Sequence, residues 1–191
     1  GARGFGDPSQ WPESPFGYFL WPVYDSLGQI MPDGTIKPLL ATSWKNVDPE
    51  TWVYTLRSGV KFSNGETVDA NDVVDFLNFL ISDDGKRTSA GQIINGQGRV
   101  ASARAINSMT VEIKTKGPNP LLPKAAVRFW IPERKARKDM DPADFNKNPV
   151  GTGPYVVTKW DAGEVTYAAR EGGLRSATIK NLRGVILPDG A

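Results

Sequence analysis

Three carboxylates, Asp69, Asp72 and Asp75, recur every third residue in the segment DANDVVDFLNFLISDD. On a helix that spacing brings side chains together, as acid–base or metal chemistry would require. Capping accounts for them better. Asp69 precedes an apolar-periodic run as an N-cap should, and Asp72 falls at N3, where a carboxylate complements the helix dipole. The chain has no His and no Cys. Thiol nucleophiles, structural zinc of the usual kind, His triads and His general bases are therefore excluded together. A carboxylate-dependent hydrolase is the enzyme reading left, and no Asp or Glu pair stands in a recognisable constellation for it. The segment GQGR lacks the Gly-Lys-Ser/Thr that a phosphate loop needs. The basic cluster ERKARK reads as a solvated helix face. No catalytic residue, no metal site and no cofactor is expected.

Groups suited to binding are easier to find. Phe16, Tyr18, Phe19 and Trp21 crowd one short stretch. They form either part of a core or a platform for ligand side chains, and Tyr18 is the best cleft residue because its hydroxyl needs a polar or wet end. Arg128 stands among apolar neighbours in AVRFWIPE. It must reach solvent, a carboxylate or a ligand, since burying it unpaired is expensive. On a strand, Trp130 would face the same side.

These residues need elements to hold them. Of 191 residues, 15 are Pro, 20 are Gly and 6 are Trp, which describes a turn-rich chain with large aromatic anchors. With 23 basic and 21 acidic residues, and no basic stripe, nothing calls for a nucleic-acid partner. No apolar run approaches the ~18 residues of a membrane-spanning helix. TWVYTL alternates as a strand and Asn64-Gly65 marks a tight turn after it. Val73, Phe76, Leu77 and Leu80 follow Asp69 at helical spacing. GKRTSAGQIINGQGRVASARAINSM reads as an exposed, Gly-rich connection with a short helix or extended piece. SMTVEIKTK is a second strand. A short Pro-flanked helix and another from Pro132 come next, then a loop at DPADFNKNP. Two strands surround DAGE, and a last strand-like run lies in ATIKNLRGVIL. In VGTGPY the Gly and Pro residues are expected to set the geometry of strand entry and not to bind an anion. The order predicts a mixed class, α/β or α+β, and not a helical or sandwich fold.

Four segments in fixed order carry a resemblance. PDGTIKPLLATSWK, WVYTLRSGVKFSNGETVDANDVVDFL, SMTVEIKTKGPNPLL and NPVGTGPYVVTKWDAGEVTYAAR together resemble the peptide/nickel-type extracellular solute-binding proteins of ABC importers, solute-binding family 5. The resemblance spans most of residues 31–170. It implies the first-lobe portion of a two-lobed, periplasmic-binding-protein-like clamp, with a mixed sheet and flanking helices. Residues 1–50 and 149–191 would form the main-sheet part of lobe I and 51–148 an inserted subdomain, with lobe II absent from this chain. The family's R-N-x-x-Y-W-x-G stretch is replaced here by REGGLRSA, without the Tyr-Trp pair.

The implied function is binding, not catalysis: the extracytoplasmic solute-binding component of an ABC importer, for peptides or similar small solutes. A peptide-sensing or chaperone-like receptor on the same fold is the alternative. Implied partners are the solute, the permease subunits and the missing lobe. The implied location is periplasmic or extracytoplasmic, with anchoring through a removed N-terminal segment as one form of it. Ligand contacts are implied in the loop QWPESPFGYF, at Glu13 and Ser14, and relatives place an Arg near Arg128 to meet anionic ligands or metal chelates. A clamp with one wall forgoes much of the ligand's burial, so weak binding by this chain alone is expected.

Overall fold

A computed structural model of the chain describes residues 6–10, 15–161 and 163–185; the side chains of Pro15 and Phe16 fall outside that description. The aromatic stretch starts with a 3₁₀ turn at Pro15–Phe19. A short hairpin follows, β1 (Gly28–Ile30) with β2 (Ile36–Pro38), and the MPDGT turn closes it with Gly34 at φ 81°.

The largest sheet contains β3 (Ala41–Asp48), β4 (Thr51–Leu56), β5 (Val100–Asn107) and β6 (Thr110–Thr115), in the order β3-β4-β6-β5. Its alternation is that of a half-buried sheet. Trp52, Tyr54 and Leu56 on β4 and Val111 and Ile113 on β6 point inward, opposed as Trp52↔Ile113 and Tyr54↔Val111. Helix α1 (Ala70–Ile81) covers that face with Val73, Phe76, Leu77 and Leu80, all buried. The full capping box forms at its start: Asp69 accepts from the Asn71 and Asp72 N–H groups, and Asp72 accepts from the Asp69 N–H at 2.9 Å.

The expected exposed connection contains helix α2 (Ser89–Ile93), a π-turn at Ile94–Gly98 and the whole of strand β5. Small residues face inward along β5, and bulges flank Ser102 and Ala105, so no period-two signal survives in the sequence. Its register is fixed across the sheet instead, where Arg104 grips Glu112 with two bonds of 2.7 Å.

Beyond it lie α3 (Leu122–Ala126), α4 (Arg134–Asp139) and α5 (Pro142–Lys147). The last corrects the expected loop at DPADFNKNP. Asp141 caps the Ala143 N–H and Pro142 takes the first turn, while only Phe145 is buried, too little for an apolar period. A three-stranded sheet closes the described chain: β7 (Tyr155–Trp160), β8 (Glu164–Ala169) and β9 (Asn181–Val185). Helices and strands mix as expected, but the pairing within each of the three sheets is antiparallel.

Two apolar clusters result. One lies between the large sheet, α1 and residues 122–131; the other joins Leu20, Val23, Tyr24, Trp130, Tyr155, Val165 and Tyr167. No helix among the described residues is long and apolar enough to cross a membrane.

Candidate functional site

The segment VGTGPY runs beside Pro22–Asp25 and holds it in place. The Gly153 N–H donates to the Val23 carbonyl at 2.8 Å and the Tyr155 N–H to the Pro22 carbonyl at 3.0 Å. This approach explains the two glycines. A Cβ on Gly151 would lie 2.2 Å from the Val23 oxygen, and one on Gly153 would lie 2.4 Å from the Pro22 oxygen. Among the described residues neither glycine is at positive φ, so both are there for space.

Between those glycines, the Thr152 hydroxyl donates to Asp25 Oδ2 at 2.8 Å. Arg175 Nε donates to Asp25 Oδ1 at 2.5 Å, and Arg175 Nη2 donates to the carbonyls of Trp21 at 2.6 Å and Tyr24 at 3.2 Å. The Ile131 N–H donates to the Asp25 carbonyl at 3.0 Å. The Asp25 side chain is fully buried. A buried carboxylate persists only when paired and hydrogen-bonded, and here each oxygen has its own donor. Asp25 thus ties together four separate segments of the chain.

Above this knot opens a cleft of about 130 Å³. Trp21, Ile30, Leu39, Val127 and Trp130 give it apolar walls, and Asp25, Ser26, Gln29 and Arg175 its polar lining. Trp130 is 5% exposed and rooted in the second cluster, whereas Trp21 is 55% exposed. Tyr18, 70% exposed, stands edge-on to Trp21 with ring centres 5.9 Å apart. Exposed aromatic faces beside a concave, half-polar lining suit a ligand with an apolar body and a few polar atoms.

Of the residues singled out from sequence, Trp130 lines this cleft and Tyr18 stands against its rim. Arg128 does not line it: it lies in the turn after α3 and its Nη1 donates to Gln97 Oε1. The expectation that Arg128 and Trp130 share a strand face is corrected, because the chain is not a strand there and the two side chains diverge. The Phe16 backbone lies in the 3₁₀ turn with its side chain outside the description, and Glu13 and Ser14 lie outside the described residues altogether. Sequence reasoning passed over Asp25, Ser26, Gln29 and Arg175. Only the departure at REGGLRSA, where Arg175 stands in place of the expected Trp, could have drawn attention to one of them.

The carboxylates considered for acid–base chemistry are committed elsewhere. Asp69 and Asp72 form the capping box and Asp75 bonds Lys138. Burial pushes the Asp72 carboxyl up to about 6, but it faces Arg134 and not the cleft. Among the described residues, the cleft has one carboxylate, Asp25, and Arg175 neutralises it. No group of three His, Cys, Asp or Glu residues among the described residues is placed to hold a metal ion.

Comparison with known proteins gives a consistent pattern. The family described as bacterial extracellular solute-binding proteins, family 5 middle, matches residues 35–189. Protein XP55 of Streptomyces lividans is 38% identical over 147 residues, covering 74% of this chain and 26% of that protein. The nickel-binding periplasmic protein of Escherichia coli strain K12 is 33% identical over 141 residues, covering 71% of this chain and 26% of that one. The chain therefore spans about a quarter of the length of these curated relatives. Among solved structures, the periplasmic binding protein DppA of Helicobacter pylori, in complex with the peptide STSA, superposes with a TM-score of 0.81 at 22% identity. That match covers 95% of this chain and 40% of DppA.

Proposed function

This chain belongs to the bacterial extracellular solute-binding proteins of family 5, and from that premise we propose that it contributes one wall of the extracytoplasmic solute-binding component of an ABC import system. Its solutes are peptides or similarly small, partly apolar molecules, and its role is binding without catalysis. The observation that carries this reading is the cleft above Asp25: half-exposed Trp21 and rooted Trp130 both line it, beside a polar lining whose buried charges are already paired. Such a surface can desolvate a solute without unpaired charge of its own.

The partners on this reading are the solute, the permease subunits of the importer and a second lobe supplied by residues outside this chain. Nucleic acid has no part in it. The division into a main-sheet portion, residues 1–50 with 149–191, and an insertion at 51–148 belongs to the same proposal, and the β3–β4 hairpin runs across its first boundary. Tyr18 and Trp130 are proposed as ligand contacts at the cleft. Arg128, Phe16, Glu13 and Ser14 are proposed as further ligand contacts.

Native mass spectrometry of the full-length protein, purified from its own cells, tests this reading. A bound small solute that is released on unfolding is the expected result. Protein recovered empty, together with unchanged solute uptake after deletion of its gene, would overturn it.

A further inference from the structure

Resting on that reading, we propose that the cleft is the subsite for an uncharged, ring-bearing part of the solute that carries a carbonyl oxygen next to the ring, and that Arg175 is the residue that selects it. Size comes first. The cleft measures about 130 Å³, close to the roughly 150 Å³ of an apolar cavity that accepts benzene. Trp21 and Trp130 give such a ring aromatic surfaces, and Ile30, Leu39 and Val127 complete an apolar surround.

Charge comes second. Asp25 and Arg175 cancel, so the lining has no net charge for an ion to neutralise. A carboxylate would lose its hydration close to Asp25, and an ammonium would lose its hydration close to Arg175. Either penalty offsets the attraction of the other partner.

Hydrogen bonding comes third and sets the chemistry of the ligand atom. Arg175 Nε is committed to Asp25 and Nη2 to the carbonyls of Trp21 and Tyr24, while Nη1 has no partner among the described residues. The Arg175 side chain keeps 35% of its surface accessible and lines the cleft. A guanidinium nitrogen can only donate, so it calls for an acceptor. The Ser26 hydroxyl proton is already given to the Gly28 carbonyl at 2.8 Å. Arg175 thus offers the ligand a fixed donor, which a neutral carbonyl or amide oxygen meets, while the exposed Gln29 amide can turn to donate or accept and does not discriminate.

The test uses the full-length protein and four probes of one shape: benzamide, benzoate, benzamidine and toluene. Binding is read by NMR from the indole N–H signals of Trp21 and Trp130, assigned through Trp21→Phe and Trp130→Phe. Benzamide should shift both signals and bind about tenfold more tightly than the other three. In the double variant Asp25→Asn/Arg175→Met, which removes both charges together, benzamide should bind no more tightly than toluene does to that same variant. Arg175→Lys, which keeps a cation for Asp25 and loses the guanidinium fork, should also erase most of the benzamide advantage, and it answers the question if the double variant does not fold. The proposal is overturned if benzoate or benzamidine matches benzamide, if the advantage survives either variant, or if no probe moves either indole. A protein that carries solute in the mass spectrum but whose cleft ignores the probes defeats this inference alone; an empty protein defeats the reading beneath it.

Discussion

Asp72 is the side chain whose titration the structure makes consequential. Burial is the main cause that lifts its carboxyl to about 6; the Asp69 and Arg134 N–H groups and the Arg134 cation pull the other way. The native state therefore holds a proton that the unfolded chain gives up near the usual carboxylate value. Stability from this group is fully present below the unfolded pKa and is lost as the pH rises through about 6. Against Asp72→Asn, which has no such proton, the native protein should lose roughly 2–3 kcal/mol between about pH 4 and about pH 7. Urea unfolding of both proteins across that range measures it. A flat difference would mean that the capping bonds and Arg134 outweigh burial. The roles of Asp69 and Asp72 were legible in the sequence because a capping box is written within four consecutive residues. The pair that shapes the cleft was not: Asp25 and Arg175 lie 150 positions apart and nothing local distinguishes either.

Among the elements, those with a strong period were legible: α1, β4, β6 and the β7–β8 pair. Strand β5 and helix α5 were not. Strand β5 is held from across the sheet, through β6 and the Arg104–Glu112 fork, while α5 has a local cap and a single buried Phe145, too little apolar surface to show a period. The VGTGPY segment belongs between these cases. Its punctuation announced a constrained entry into β7, but its contact with Pro22–Asp25 could come only from the fold. Gly151→Ala places a methyl against the Val23 oxygen, at a contact no rotamer can relieve. A loss of about 3 kcal/mol or more is expected, since backbone must move. The Trp21 side of the cleft should shift with it, seen as altered indole N–H signals in whatever folded protein is recovered. Wild-type stability for this variant would show that the segment can part from Pro22–Asp25 at little cost.

For the whole molecule, the turn after α3 joins the two apolar clusters. Phe129 and Ile131 are buried in the first, while Trp130 between them is buried in the second. The Ile131 N–H is then fastened to the Asp25 carbonyl. Three consecutive residues thus point alternately into two cores, and neither core can loosen without dragging the other's side chain out. The two clusters should melt as one cooperative unit, and the Ile131 amide should exchange its hydrogen only when the entire chain opens. Native-state hydrogen exchange in rising urea reads this directly: the opening free energy of Ile131 should equal that of the slowest amides in both β6 and β8. A lower value at Ile131 would reveal two independent folding units. Equality would make this turn a mechanical fuse, through which a disturbance at the cleft's Trp130 wall is felt as a change in the lifetime of every protected amide in the protein.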